Sequence, residues 1–398
     1  MNATLSKNIQ RVAPSATIAI STQAKAMKAR GIDVIALSAG EPDFDTPQHI
    51  KDAAIRAICE GATKYTPAVG TPELRKAICD KFQKDNGLTY EPSQIVVGCG
   101  GKHVIFEALQ ALLDEGDEVI IPAPYWVSYP EQAKLLGAQP VIVQPSSDSL
   151  KITAEELRQA ITGKTKLFIL NSPSNPSGAV YEKEELLALA DVILHTGIIV
   201  LSDEIYEKIL YDGAIHHAIA GIKPGMMAQT ITVNGVSKAY SMTGWRIGYA
   251  AGPKEIMAAM GKIQSQQTSN PCSISQAASV AALSGPQEST GEMLEAFQAR
   301  RNAIVDRLNH IEGISCQTPA GAFYVFPNVS AHYGLCYGDR KIEGSVDLCT
   351  FLLEEMHVAC VPGAAFGMDA YIRLSYATSM EQIERAMDRI EEGISKLQ

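Results

Sequence analysis

Five stretches of this sequence carry side chains whose types and spacing could do chemistry. In VNGVSKAYSMTGWRIGYA (233–250) a strand-like run, TITV, leads into Ser237-Lys238 and then a Gly-Trp-Arg turn ending at Arg246. A lysine a few residues past a strand end could serve as an amine nucleophile. A lone lysine is more often simply solvated, and Arg246 taken by itself could equally be a salt-bridge partner. In SDEIY (202–206), Asp203 follows the apolar run IIVL, so a carboxylate stands at the carboxyl end of a strand, where parallel α/β sheets bind ligands. A helix N-cap is the simpler reading of Asp203 or Ser202 in isolation. GCGGK (98–102) joins a strand-like to a helix-like segment. Glycines there would let backbone approach an anion at a helix N-terminus, as they would also make an ordinary tight turn, and the string matches neither the dinucleotide fingerprint nor the P-loop. NSPSNPSG (171–178) is a proline-stiffened loop with aimed Asn and Ser side chains. Arg373, inside apolar YIRLSYA, needs an anion or an internal carboxylate beside it.

The elements that must position these groups are legible as two alternating patterns. QIVVG (94–98), EVIIP (118–122), PVIVQ (140–144), KLFIL (166–170), IIVLS (198–202), TITV (230–233) and RIGYA (246–250) read as buried strands. Amphipathic stretches such as KHVIFEALQALL (102–113) and KEELLALADVILH (183–195) read as helices between them. That alternation predicts βαβ units, a mostly parallel sheet and an α/β class, with helices on both faces. After about residue 252 the pattern changes to long helices, one over 286–310, mixed with strand-like AFYVF (322–326), VACVP (358–362) and YIRLSYA (371–377), helical VDLCTFLLEEM (346–356) and a terminal helix from about 380. This predicts a second, α+β unit.

Composition narrows the function. At 398 residues the chain exceeds one comfortable core. A net charge of −10 argues against a nucleic-acid surface but leaves room for a locally positive pocket. No apolar run approaches the ~20 residues of a membrane span, and the N-terminus lacks a signal-peptide core. The eight cysteines are scattered, with no metal-ligand spacing, which predicts free thiols in a reducing cytosol and no metal site.

Taken together and in this order, these elements resemble the class I/II aminotransferases of the pyridoxal-phosphate (PLP) fold type I. The likeness runs from SAGEPDF (38–44) to RLSYA (373–377), and VAPSAT, TKYTPAVGTPELR, PYWVSYPE and GAFYVF also carry it. It is nearest to the bacterial aspartate aminotransferase branch, some members of which act on prephenate. The resemblance implies that Lys238 binds PLP covalently and then moves a proton at the substrate Cα. It implies that Asp203 pairs with the ring nitrogen: opposite charges about 4 Å apart at an effective dielectric of 20 interact by about 4 kcal/mol, which favours the protonated ring. Tyr206 and Asn175 would bond the ring oxygen and Trp126 would stack on the ring. The amides of Gly101 and Lys102, with Ser237 and Arg246, would hold the phosphate, joined by Tyr65 from a second subunit of a homodimer. Arg373 would take the substrate α-carboxylate, aided by Asn175 and the N–H of Gly40. Lys102, with Ser15 and Thr17, would take a second carboxylate.

The expected architecture is therefore a large PLP domain (46–285) with a seven-stranded, mostly parallel sheet between helices. A smaller α+β domain, 1–45 with 286–398, would close over the site. The expected reaction is ping-pong transfer of an amino group from L-aspartate to 2-oxoglutarate, giving oxaloacetate and L-glutamate. The alternatives are a prephenate, aromatic or alanine transaminase, or a PLP β-lyase. A PLP-sensing transcription regulator would carry a DNA-binding domain ahead of this unit, where only 37 residues precede SAGEPDF.

Overall fold

A computed structural model of the chain describes residues 5–398. The chain enters through two helices, α1 (Lys7–Gln10) and α2 (Ala16–Ala29), and a short strand β1 (Ile35–Ala36). Helices α3 (Gln48–Cys59) and α4 (Pro72–Asn86) follow. Strand β2 (Ile95–Gly98) leads into α5 (Gly101–Leu112), and β3 (Glu118–Pro122) leads into α6 (Ser128–Leu135). Then come β4 (Gln139–Val143), β5 (Thr165–Asn171), β6 (Ile199–Asp203), β7 (Thr230–Gly235) and β8 (Gly248–Ala251).

Strands β2 to β8 form one seven-stranded sheet in the order β2-β8-β7-β6-β5-β3-β4, parallel except for β8, which runs against both β2 and β7. Successive residues of each central strand serve opposite faces. Val119, Ile121, Leu167, Ile169 and Leu201 pack with Val104, Ile105 and Leu109 of α5 on one side. Ile120, Phe168, Leu170 and Val200 pack with Leu186, Leu189 and Ile193 of helix Lys183–Thr196 on the other. Both faces are dry, which is why these strands lack the apolar–polar alternation of a one-sided sheet.

The second unit is organised by the 23-residue helix Glu288–His310, which buries Met293, Phe297, Ile304, Val305 and Leu308. It packs against a three-stranded antiparallel sheet, Val361–Pro362, Ile372–Ser375 and Tyr324–Val325 in that order, and against helix Met380–Ser395. Strand β1 pairs in parallel with Val358–Ala359, and Ala24 and Met27 of α2 bury against Val34, Leu353 and Ala359. Among the described residues no helix is long and apolar enough to cross a membrane.

Some elements differ from their sequence reading. AFYVF contributes only Tyr324–Val325 to a strand. RIGYA begins its strand at Gly248, because Thr243–Trp245 forms a short 3₁₀ turn and Arg246 sits at φ 54 in the left-handed region. The helix-like stretch around Arg75 is α4, and its ends carry local signals: Thr71 accepts from the Leu74 amide, Pro72 opens the first turn, and Gly87 closes it at φ 66.

Three glycines stand abreast at the sheet edge: Gly98 of β2 pairs with Gly248 of β8, which pairs with Gly235 of β7. A Cβ on Gly248 would lie 2.2 Å from the amide nitrogen of Gly101, so the start of α5 rests directly on β8 backbone. Gly248→Ala is expected to cost about 1–3 kcal/mol, visible as a lowered urea midpoint, since the contacted atoms are main chain and cannot step aside.

Candidate active site

The carboxyl ends of β5, β6 and β7 deliver Asn171, Asp203 and, just past Gly235, Ser237 and Lys238 to one cavity of about 610 Å³. The cavity is also lined by Gly40, Gly101, Lys102, Trp126, Asn175, Tyr206, Arg246 and Arg373, and by Thr17 from α2. Ser15 lines an adjoining groove instead, with its hydroxyl 3.0 Å from that of Thr17, and Tyr65 lies outside the cavity, 89% exposed.

Lys238 donates from Nζ to the Gly40 carbonyl oxygen at 2.6 Å. Burial pushes its pKa down to about 8; the Glu41 carboxylate works against that shift, and the Arg373 and Arg246 cations add to it. Asp203 is buried at the end of β6 and its pKa is pushed up to about 6, chiefly by loss of water. Its carboxylate accepts from the Tyr129 hydroxyl at 2.6 Å and the Ile205 amide at 3.3 Å. These two donors hold the carboxylate without neutralising it, which suits a group waiting for a cation.

A second buried charge stands across the cavity. Arg373 donates to Asn175 Oδ1 at 2.9 Å and to the Ser38 carbonyl at 2.7 Å, both neutral acceptors. Among the described residues its Nε has no partner, and its guanidinium lies over the rings of Tyr324 (4.5 Å) and Phe366 (5.1 Å). Among the described residues no carboxylate pairs with this arginine, which leaves an external anion as the partner that burial demands. Asn175 is itself fixed, since its amide donates to Asn171 Oδ1 at 2.8 Å, while Asn171 Nδ2 donates to the Asp203 carbonyl at 2.9 Å. The NSPSN loop thus ties the Asp203 backbone to the Arg373 side chain.

An anion cradle opens at the start of α5. Its N-cap residue, Gly100, has no side chain to satisfy the amides of Gly101 and Lys102, which have no helical acceptor. Arg246 donates to the carbonyls of Thr243 (2.8 Å) and Cys99 (3.3 Å), and a Cβ on Gly100 would lie 2.5 Å from its Nη2. The left-handed turn at Arg246 is what aims the guanidinium at this helix end. Lys102 lies 4.9 Å over the Trp126 ring, and its pKa is lowered by burial and then by Arg246. A cation at the first turn of a helix opposes the helix dipole, so its presence there needs an anion to face.

Two tyrosines complete the site without having been singled out in the sequence. Tyr129 holds Asp203 and meets Trp126 edge-on at 5.3 Å. Tyr324 shares a 2.8 Å hydrogen bond with Tyr206 and stacks under Arg373. Gly40 also has a further reason to lack a side chain: its Cβ would lie 2.6 Å from the Tyr324 hydroxyl. Spacing offers a signal for Tyr129 alone, which stands in the first turn of α6, three residues after Trp126.

An amine, a buried carboxylate and an anion cradle at the edge of one sheet, faced by a buried arginine from another, are the parts a transaminase of the type I fold needs. The chain belongs to aminotransferase class I and II, whose family model matches residues 32–390. Within that family it is 54% identical to the aspartate aminotransferase of Geobacillus stearothermophilus, over 97% of this chain and 98% of that one. It is 53% identical to the aspartate/prephenate aminotransferase of Cereibacter sphaeroides, over 97% and 98% of the two chains. Among solved structures it is similar to the aspartate aminotransferase of Rhizobium meliloti, with a TM-score of 0.96, 48% identity and full coverage of both chains. The Thermus thermophilus aspartate aminotransferase with maleate is similar too, with a TM-score of 0.93 and 42% identity over 98% of this chain and all of that one.

The raised pKa of Asp203 makes a prediction about stability. The unfolded chain ionises this acid near 3.8 and the folded chain near 6, so the fold loses stability as pH rises between those values and stays penalised above them. Asp203→Asn should therefore raise the melting temperature of the cofactor-free protein at pH 7.5, by about 1–3 kcal/mol of stability, with the gain shrinking toward pH 4. Equal melting curves at both pH values would show that Asp203 is not held under strain.

Proposed function

We propose that this enzyme transfers the amino group of L-aspartate to 2-oxoglutarate using PLP. The observation that carries the reading is the pair of cations on one cavity wall system, Arg373 and Lys102, with the Lys238 amine in the same space. A dicarboxylate with an amine between its ends matches that charge pattern, and the relatives named for aspartate point the same way. When bound, PLP supplies an aldehyde that takes up the amino group and a ring that disperses the electrons left when the Cα proton departs.

The chain's own groups have separable tasks. Lys238, with its pKa lowered to about 8, has a far larger neutral fraction near neutral pH than a solvated lysine and is suited to hold the aldehyde and then carry the proton at Cα. Asp203 would keep the ring nitrogen protonated, and Tyr129 would keep Asp203 aimed. Tyr206 and the amide nitrogen of Asn175 would donate to the ring oxygen, while Trp126 would cover the ring face. The amides of Gly101 and Lys102, Ser237 and Arg246 would hold the phosphate. Arg373 would grip the α-carboxylate in a two-pronged pair, aided by Asn175 and Gly40. Lys102 would meet the distal carboxylate, with Ser15 and Thr17 at the mouth.

We also infer a homodimer in which Tyr65 of each chain reaches the other chain's phosphate site. Its 89% exposure, with Ile55 and Ile58 exposed on neighbouring α3, suits a surface awaiting a second copy. The division into a large domain, 46–285, and a small one, 1–45 with 286–398, gives Arg373 and Lys238 to different bodies, so that closure would bring them together. Eight free cysteines fit a reducing, cytoplasmic setting. The prephenate reading rests on the relatives named aspartate/prephenate aminotransferase.

Two experiments test this reading. Lys238→Ala should yield no covalent cofactor after borohydride reduction; a reduced adduct in that variant would move the amine to another residue. Lys102→Ala should lower kcat/KM for aspartate by about 10- to 100-fold, as for loss of a buried charge pair, and leave phenylalanine within about threefold. Parallel losses for both donors would exclude the distal-carboxylate role. An amino-donor panel of aspartate, prephenate's amino product, phenylalanine and alanine with 2-oxoglutarate ranks the substrates directly.

A further inference from the structure

The seven residues from Arg11 to Thr17 form a strap between the two halves of the molecule. On one side, α1 lies against α6, and Arg11 pairs with Glu115 at 3.0 Å. On the other, α2 is buried into the second unit through Ala24 and Met27. Between these anchors residues 12–16 line the groove that adjoins the cavity at Lys102, and the first turn of α2 presents Thr17 and Ile18 to the cavity. The strap has few apolar contacts of its own: from Arg11 to Thr17 none of its residues is buried.

Past the Arg11 ion pair, a second acidic side chain pins its middle. The Ala13 amide donates to Glu131 Oε2 at 2.7 Å. The other carboxylate oxygen, Oε1, is held by Lys134 at 2.8 Å, so the acceptor is oriented before the strap arrives. Glu131 is on α6, and the next residue, Gln132, donates to the Lys102 carbonyl at 3.0 Å. One helix therefore fixes both the strap and the start of α5, and through them both walls around Lys102, which lines the main cavity and the groove under the strap.

We propose that Glu131 is a positioning residue for substrate binding: it latches the strap at Ala13 so that the first turn of α2 stands over the cavity facing Lys102. It touches neither the cavity nor the reacting atoms, and it acts through Ala13. Its consequence for substrate rests on the reading of the cavity as the aspartate site.

The test uses the cofactor-loaded enzyme with Glu131→Ala and Glu131→Gln. Glutamine keeps a carbonyl acceptor for the Ala13 N–H and alanine does not. In Glu131→Ala the KM for aspartate should rise about tenfold, the size of a lost charge-assisted hydrogen bond, with kcat within about twofold and the cofactor absorbance unchanged. Glu131→Gln should stay within about threefold of the parent KM. Tryptic cleavage after Arg11, followed by mass spectrometry without substrate, should be about tenfold faster in Glu131→Ala than in the parent or Glu131→Gln. An unchanged KM or unchanged cleavage in Glu131→Ala overturns the proposal, as do equal effects in the two variants. Failure of the parent enzyme to transaminate aspartate would defeat the substrate reading instead, and the cleavage rates would then decide the latch by themselves.

Discussion

The site depends on charges kept dry without counter-ions. Asp203 and Arg373 are both buried, and among the described residues neither forms an ion pair. Burying an unpaired charge costs several kcal/mol, so the surrounding fold must hold each one by neutral contacts strong enough to prevent its escape to water. For Asp203 these are a tyrosine hydroxyl and a main-chain amide. For Arg373 they are an amide oxygen, a carbonyl and two aromatic faces. A ligand that brings a cationic ring nitrogen to one and a carboxylate to the other relieves both penalties at once, which is the energetic meaning of a preorganised site.

The two halves of the chain share this arrangement rather than dividing it. Tyr206 follows β6 of the main sheet, yet its ring packs against Phe323 and Tyr324 of the second unit at 5.4 and 5.8 Å. Its hydroxyl is tied to Tyr324, which supports Arg373. The NSPSN loop makes the converse link, from the Asp203 main chain through Asn171 and Asn175 to the same arginine. A displacement of Arg373 is thus felt at the strand end that carries the acid.

Much of this was readable in the sequence, and the reasons are physical. The sheet was legible because its central strands are buried on both faces and so appear as uninterrupted apolar runs. Lys238, Asp203 and Arg373 were legible because each is a charge at the end of, or inside, such a run. Each had an ordinary alternative reading, and their order along the chain, not any one of them, removed it. Tyr129 and Tyr324 were not legible, because a tyrosine among apolar neighbours looks the same whether its hydroxyl is idle or holds another buried polar group. Nor was the support of α5 by Gly248, since 147 residues of sequence separate Gly101 from its neighbour in space. The left-handed turn at Arg246 was hidden for a simpler reason: its backbone conformation is imposed by the tertiary structure and not by its residue type.

Gly98 and Gly248 leave no room for a side chain beneath the start of α5, so the helix end whose Gly101 and Lys102 line the cavity rests on main chain. Main chain offers evolution or a protein engineer nothing to exchange, so the position of that helix end is frozen. The part of the cavity lined by α2 and by the Lys102 side chain is built from replaceable groups. Diversification of ligand preference in a protein built this way is therefore a matter of those side chains, while the anion cradle can be inherited unchanged.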